Sequence, residues 1–141
     1  MKRSEALKPL SHEHHHALFV AKVICDQEGE GDSRDRFLEF WRSESEEHFR
    51  AEEEILLPGS GLPGPDQDEE VARMLSDHLE IRRGAARLTA DEASPAEIVE
   101  LAERLRAHVR FEERELFPRI ERELAPKALE RLAGQLEPFD C

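Results

Sequence analysis

Apolar residues return every three or four positions along four long segments of the chain, which is the spacing of helices with one buried face. Polar breakers separate the segments, namely EGEGD, the loop-rich stretch PGSGLPGPDQ and TADEASP. The predicted helices cover residues 4–28, 33–58, 68–88 and 94–120, and a short fifth segment opens at Pro126. Pro58 is expected to end the second helix. Short connections favour antiparallel neighbours, so the pattern predicts an all-α, up-down-up-down antiparallel four-helix bundle with a short C-terminal helix.

An eleven-residue motif occurs twice, and the two copies are offset by sixty residues. HFRAEEEILLP begins at His48 and HVRFEERELFP begins at His108, and both read H-x-R-x-E-E-x-x-L-x-P. The preceding helices also match, since LSHEH ends at His14 and MLSDH ends at His78, each with an acidic residue before the histidine. The first two helices therefore repeat as the third and fourth, which predicts pseudo-twofold symmetry.

Each copy of the motif carries a glutamate four residues after its histidine. Residues i and i+4 of an α-helix lie on nearly the same face. Helical counting from Trp41 and from Leu101 places both His–Glu pairs on the apolar faces of their helices, and the other two helices each add one histidine. The side chains predicted to face the interior are His14, His48, Glu52, His78, His108 and Glu112.

Each of these residues has a common structural explanation when it is considered alone. A single histidine on an apolar face is usually a hydrogen-bonded core residue, and glutamates on so charged a chain are usually solvated. Solvation is expected for Glu46, Glu47, Glu53, Glu54 and Glu113. Two buried carboxylates without partners would cost several kcal/mol each. A metal cation removes this conflict because it binds anionic oxygen and neutral nitrogen together.

The size of the ligand set bears on which metal it could hold. Six side-chain ligands are too many for one tetrahedral zinc ion. Two carboxylates that bridge two metals, with two histidines on each metal, leave open positions for a bridging oxygen and an exogenous ligand. This composition favours a pair of iron or manganese ions.

The order of a single histidine, H-x-x-x-E, a second single histidine and H-x-x-x-E on four bundle helices resembles the hemerythrin-like (HHE cation-binding) domains. The resemblance runs from about residue 8 to residue 125. It implies a non-haem centre of two iron ions, with manganese or zinc as possible substitutes, inside an up-down-up-down bundle. The resemblance makes His14, His48, His78 and His108 terminal ligands, and Glu52 and Glu112 bridging carboxylates.

Two features depart from the oxygen-carrying hemerythrins. Arg82 stands one turn after His78, where those proteins have a second histidine, and the last helix has H-x-x-x-E in place of a wider His-to-Asp spacing. Both differences point away from reversible oxygen transport and toward bacterial-type domains. The expected function is therefore to bind or reduce a small ligand such as oxygen, nitric oxide or peroxide. The alternative is a non-catalytic iron or oxygen sensor, or an iron store.

The histidine cluster HEHHH at residues 12–16 leaves two questions open. It matches the zinc-protease pattern H-E-x-x-H, but no upstream strand could hold a peptide and no third ligand follows at the usual distance. It also offers several candidates for the ligand of the first helix. His14 is favoured by its position on the apolar face and by its match to His78, but His12, His15 and His16 remain candidates.

Composition limits the partners of the protein. The net charge of −13 repels phosphate backbones, which excludes nucleic acid. The length suits one domain over residues 1–141. The start, MKRSEALKPL, has no signal-peptide pattern, and no apolar run is long enough for a membrane span. Cys25 and Cys141 are too few for a disulfide framework, so a cytoplasmic location is expected.

A second apolar patch lies on the outer face of the first helix. It consists of Phe19, Val20 and Val23. Two explanations stay open, which are a homodimer interface and a cover formed by the C-terminal segment with Leu129, Leu132 and Leu136.

Overall fold

The computed structural model describes residues 3–136, and within this range the chain forms helices and no strand. The helices are α1 (Lys8–Asp26), α2 (33–60), α3 (Glu69–Thr89), α4 (95–123) and α5 (Pro126–Leu136). The all-α prediction and the short C-terminal helix are therefore confirmed. None of these helices is both long and apolar enough to cross a membrane.

Helix boundaries follow ordinary capping chemistry. The Ser94 side chain accepts a hydrogen bond from the Glu97 backbone N–H, and the Glu97 carboxylate accepts one from the Ser94 N–H, which starts α4. Asp68 accepts hydrogen bonds from the first N–H groups of α3 in the same way. Gly61 ends α2 with a φ of 74°, a left-handed conformation that glycine adopts without strain.

The prediction that Pro58 ends the second helix is wrong, because α2 continues through it to Ser60. The helix widens immediately ahead of the proline into a π-helical turn at Glu52–Leu56. A proline ring normally clashes with the carbonyl group one turn back, and a wider turn relieves that clash. The second motif copy behaves identically, with a π-helical turn at Glu112–Leu116 before Pro118. A third π-helical turn, Trp41–Ser45, lies earlier in α2.

The helix ends meet in pairs that bring the four long helices side by side. Arg3 and Ser4, ahead of α1, bond to Glu121 near the end of α4. At the opposite end, Gly29 packs so closely on Pro95 that a Cβ atom there would lie 2.1 Å from the proline carbonyl oxygen.

Two further contacts align the remaining helices. Arg34 in the first turn of α2 donates a hydrogen bond to the backbone carbonyl of Leu88 at the end of α3. Arg119 near the end of α4 binds Asp68, the cap of α3. The start of α2 therefore lies against the end of α3, and the start of α3 lies against the end of α4.

Two apolar clusters fill the interior, with the polar candidate residues in the layer between them. One cluster includes Ala17, Ile81 and Leu105, and the other includes Leu10 and Met74. Along the chain, each of the four candidate histidines lies between a residue of one cluster and a residue of the other. The fold therefore holds the candidate site between two hydrophobic layers.

Helix α5 does not pack over the outer apolar patch of α1, where the sequence analysis considered placing it. Its Leu132 and Leu136 join the cluster that contains Leu10, whereas Val20 belongs to the other cluster. Phe19 stays 55% exposed. The explanation that α5 covers the outer patch of α1 is therefore wrong.

Candidate metal centre

All six side chains predicted to face the interior meet in one buried cluster. Each long helix contributes a histidine, and the glutamates come from α2 and α4. The exposed fractions are His14 2%, His48 6%, Glu52 0%, His78 0%, His108 1% and Glu112 0%. No other histidine on α1 reaches the cluster, because His12, His15 and His16 are exposed. His14 is therefore the histidine of the first helix that lies in the cluster.

The imidazoles form two pairs. The Nε2 atoms of His14 and His48 are 3.1 Å apart, and those of His78 and His108 are 3.2 Å apart. In each pair both Nε2 atoms point toward the carboxylates.

Each carboxylate presents one oxygen to each imidazole pair. Glu52 Oε2 lies 3.3 Å from His48 Nε2, and its Oε1 lies 3.0 Å from His78 Nε2. Glu112 Oε1 lies 2.9 Å from His14 Nε2, and its Oε2 lies 3.2 Å from His108 Nε2. Two four-donor sets result, each of two imidazole nitrogens and two carboxylate oxygens, with all donor atoms of a set within 4.8 Å of one another.

A ring of carboxylates surrounds the cluster and binds the outer nitrogen of every imidazole. The Nδ1 atoms lie 2.5–3.2 Å from carboxylate oxygens of the neighbouring helices. The acid of each long helix binds the histidine of the next long helix in the chain, and the acid of α4 binds the histidine of α1. The pairs are Glu13 with His48, Glu53 with His78, Asp77 with His108, and Glu113 with His14. We call these four acids the carboxylate ring.

The cluster brings together nitrogen and oxygen atoms with lone pairs, but few hydrogen atoms that could form hydrogen bonds between them. An imidazole that donates its Nδ1–H to a carboxylate has only a lone pair at Nε2. All four oxygens of Glu52 and Glu112 are buried and lack a hydrogen-bond partner, so their close approaches to Nε2 atoms are not well-directed hydrogen bonds. Buried groups of this kind require a positive charge among them. The residues present therefore fit a metal cation.

The pKa values show the same demand for positive charge. Burial by itself would lower the pKa of His78, but the carboxylates of Glu112, Glu52 and Glu53 raise it to about 11. Burial likewise opposes the charged form of His48, whose pKa the nearby Glu52 and Glu13 raise to about 10.

The fourth helix behaves in the same way. Burial opposes protonation of His108, but Glu112 and Asp77 raise its pKa to about 9. Burial would also raise the pKa of Glu112, yet the adjacent His108 holds it well below its usual range. The cluster therefore takes up protons when no metal neutralises it.

The prediction that Glu53 and Glu113 are solvated is wrong. Their side chains are 23% and 28% exposed and belong to the carboxylate ring. The prediction assumed the rotation of an α-helix, about 100° per residue. Both residues lie in π-helical turns, where the rotation per residue is smaller, so they stay beside the glutamates that precede them.

Sequence reasoning also missed Glu13 and Asp77 as members of the ring. The acid-His pairs that end LSHEH and MLSDH hinted at them, because in each an acid directly precedes a predicted ligand. Arg82, which departs from the oxygen carriers, binds Glu53 through two nitrogens at 2.8 and 3.1 Å. It therefore supports the acid that holds His78.

A small cavity of about 10 Å³ adjoins the cluster, enough for about one water-sized group. Phe49 closes the cluster over His78, since the two rings stack with centroids 3.8 Å apart and planes 4° apart. The equivalent residue of the second motif copy is Val109, whose smaller side chain lines the cavity beside His14. The complete lining is Glu13, His14, Ala17, Phe40, Glu44, Ser45, His48, Phe49, Leu105, His108 and Val109.

The fold and the site together define a class, which is an all-α bundle whose buried histidines and glutamates are compatible with metal binding. The family model described as the hemerythrin HHE cation binding domain matches residues 5–120, so the chain belongs to this family. No curated protein and no solved structure gives a significant match to the chain. The resemblance carried by the two H-x-x-x-E motifs is thus confirmed, and membership supports a metal cofactor.

Proposed function

We propose that this protein holds two iron ions and that it binds or reduces a small ligand such as oxygen, nitric oxide or peroxide. His14 and His48 would bind one ion, and His78 and His108 the other. Glu52 and Glu112 would bridge the two ions. Two bridged iron ions supply one-electron redox chemistry and an open position for a small molecule.

One observation carries this proposal: each buried carboxylate offers one oxygen to each of two imidazole pairs. A single cation could not use both oxygens of both glutamates together with four imidazoles in tetrahedral coordination. Two cations, each held by two nitrogens and two oxygens, would use every donor. Mixed nitrogen and carboxylate ligands favour iron or manganese over softer metals.

The protein's own residues would orient the ligands and control access. The carboxylate ring fixes each Nδ1 proton, so each Nε2 lone pair faces inward. Phe49 excludes solvent above His78, whereas the cavity beside His14 admits one small group.

The proposal is tested by metal content together with the visible spectrum. The protein purified anaerobically with iron should contain about two iron ions per chain and change its spectrum on exposure to air. Fewer than one ion per chain under iron saturation would contradict the proposal. Turnover of hydrogen peroxide by the loaded protein would then distinguish a reductase from a binding protein or sensor.

The finer architecture and the location belong to the same proposal. We propose an up-down-up-down order of α1 to α4, which is supported by the contacts of Ser4 with Glu121 and of Arg34 with Leu88. A cytoplasmic location is supported by the scarcity of cysteine.

A further inference from the structure

One hydroxyl group lies in the wall of the cavity beside the candidate metal centre. It belongs to Ser45, which is only 3% exposed. Half of the other residues in the wall are apolar, among them Ala17, Leu105 and Val109, and the other half are histidines and glutamates. Within residues 3–136, no hydrogen bond engages this hydroxyl group. A hydroxyl group that lines a cavity and has no partner in the protein can donate a hydrogen bond to a group inside that cavity.

The repeat shows that this position does not need a serine for packing. The equivalent residue sixty positions later is Leu105, which lines the same cavity and is buried. The backbone also differs at this place, because Ser45 ends the π-helical turn Trp41–Ser45 whereas residues 101–105 are regular α-helix. π-helical turns of this kind occur frequently at functional sites. The asymmetry introduces one hydroxyl group where the symmetric structure would have a second leucine.

The other polar groups of the cavity wall are not free to donate a hydrogen bond. Glu13 is engaged by His48, and Glu44 is engaged by His16. As carboxylates they accept hydrogen bonds and do not donate them. The imidazoles use Nδ1 for the carboxylate ring and turn Nε2 toward the glutamates. Ser45 is thus the available donor in the wall.

We propose that Ser45 is a specificity-determining residue whose hydroxyl group donates a hydrogen bond to the exogenous small ligand in the cavity. The ligand class is a small anion or peroxide with an acceptor atom. This inference rests on the proposed metal-dependent function. Ser45 contacts none of the six candidate ligands through a hydrogen bond, so its effect on ligand binding is separable from metal loading.

Azide is a suitable probe because it is small, anionic and rich in acceptor atoms. Azide binding to the iron-loaded, air-oxidised protein is measured by optical titration for the wild type and three variants. Ser45→Ala should weaken azide binding by about tenfold, the effect of losing one hydrogen bond to a charged acceptor. Ser45→Thr keeps a hydroxyl group and should bind azide within about threefold of the wild type.

Ser43→Ala is the matched control. Ser43 lies in the same π-helical turn but is exposed, and its hydroxyl group donates to the Glu39 carbonyl. This substitution should leave azide affinity unchanged. All variants should retain the iron content of the wild type.

A measurement without metal separates this role from a structural one. The thermal unfolding midpoint of metal-free Ser45→Ala should be no lower than that of the wild type, because the hydroxyl group makes no hydrogen bond within the protein. A clearly lower midpoint or a loss of iron would identify Ser45 as structural and overturn the inference. Equal azide affinity in the wild type and Ser45→Ala would also overturn it. Failure of the wild type to bind iron or azide would instead refute the proposed function.

Discussion

At the scale of single residues, two glutamates each face both imidazole pairs of the candidate metal centre. Their carboxylates are fully buried, and no hydrogen bond satisfies their oxygens. In contrast, Glu54 and Glu115 stand in the same π-helical turns with side chains more than half exposed. Neighbouring residues of one type therefore have opposite environments, which makes matched substitutions possible.

Replacing either bridging candidate should empty the site. Glu52→Ala or Glu112→Ala should reduce iron from about two ions per chain to fewer than one, because each change removes an oxygen ligand from both ions. Iron content after dialysis against a weak chelator measures the effect. Glu54→Ala and Glu115→Ala should keep full loading, and full loading in Glu52→Ala would contradict the assignment.

The carboxylate ring should influence affinity without supplying ligands. Glu53→Gln should weaken metal binding by about tenfold, since acids that orient ligating histidines typically contribute this much. Burial opposes ionisation of Glu53, but His78 and Arg82 lower its pKa to about 2, so the group is ionised at every pH at which metal binds. Competition with a chromophoric chelator gives the affinity, with Glu54→Gln as control. An unchanged affinity would show that the Nδ1 contact has no energetic role.

The six inward residues could be predicted from the sequence because histidine and glutamate are four positions apart on apolar faces. The ring could not be predicted fully. Glu53 and Glu113 share its inner position only because the backbone widens locally, and an apolar spacing of three or four residues gives no indication of that widening. Sequence periodicity thus reports the average helix and not its local defects.

At the scale of elements, the repeat produces two similar helix pairs. The differences between the pairs determine where a cavity adjoins the cluster. Phe49 covers one imidazole, and Val109 at the equivalent position leaves room for the cavity. The pseudo-symmetry was evident from the sequence. The sequence did not indicate which imidazole pair would have a cavity beside it, because this depends on how the ring of Phe49 packs across the bundle.

Filling the cavity should block the exogenous ligand. Val109→Phe copies the residue of the first motif and should reduce azide affinity at least tenfold, with iron content preserved, because the cavity has room for only one small group. Some loss of stability is expected from overpacking, about 1–3 kcal/mol. Val109→Ala is the control and should bind azide at least as well as the wild type. Normal azide binding by a folded Val109→Phe protein would place the ligand elsewhere.

The cap of α3 should contribute to stability independently of the metal. Asp68 accepts two backbone N–H groups and two guanidinium nitrogens of Arg119. Asp68→Ala should lower the free energy of unfolding by about 1–2 kcal/mol. The Arg119 guanidinium lowers the pKa of Asp68, so this contribution is present above the ordinary pKa of an aspartate and disappears as the pH falls through the lowered value. Denaturation at neutral and acid pH measures both effects, and a constant difference would contradict the pairing.

At the scale of the whole molecule, the side chains of the candidate metal centre come from four helices and lie between two apolar clusters. Each long helix supplies a candidate ligand and a member of the carboxylate ring. Folding and metal binding should therefore be coupled, since the unfolded chain cannot assemble the six ligands. The all-helical fold and the central position of the site followed from the sequence, whereas the packing of α5 against the cluster containing Leu10 required the structure.

Metal binding should release protons at neutral pH. In the metal-free protein, the surrounding carboxylates raise the pKa values of His48, His78 and His108 to about 9 to 11, which favours extra protons in the cluster at neutral pH. Ligation needs the Nε2 lone pair, so loading at pH 7 should release at least one proton per chain. Titration of ferrous iron into weakly buffered, anaerobic protein with a pH indicator measures the number. Release of fewer than one proton would contradict these pKa values.

The same pKa values define how stability depends on pH. Groups whose pKa is raised on folding stabilise the metal-free protein fully below the unfolded value of about 6.5, and this stabilisation is lost as the pH rises through about 9 to 11. The metal-free protein should therefore melt at progressively lower temperature from pH 7 to pH 11. Protons compete with the metal for the imidazoles, so the loaded protein should hold its metal less tightly as the pH falls and should have lost it below roughly pH 5.5. Identical melting temperatures of the two forms at neutral pH would disprove coupling.

The carboxylate ring also determines when conformational entropy is lost. A free histidine side chain samples several rotamers, and ordering it costs free energy. Here every candidate imidazole is already held at Nδ1, and the rings of His14 and His78 are additionally stacked on Phe117 and Phe49. The ordering cost is therefore met when the chain folds and not when the metal arrives. A cation entering this centre would meet side chains with little freedom left to lose, so its binding entropy would reflect mainly the water that it releases.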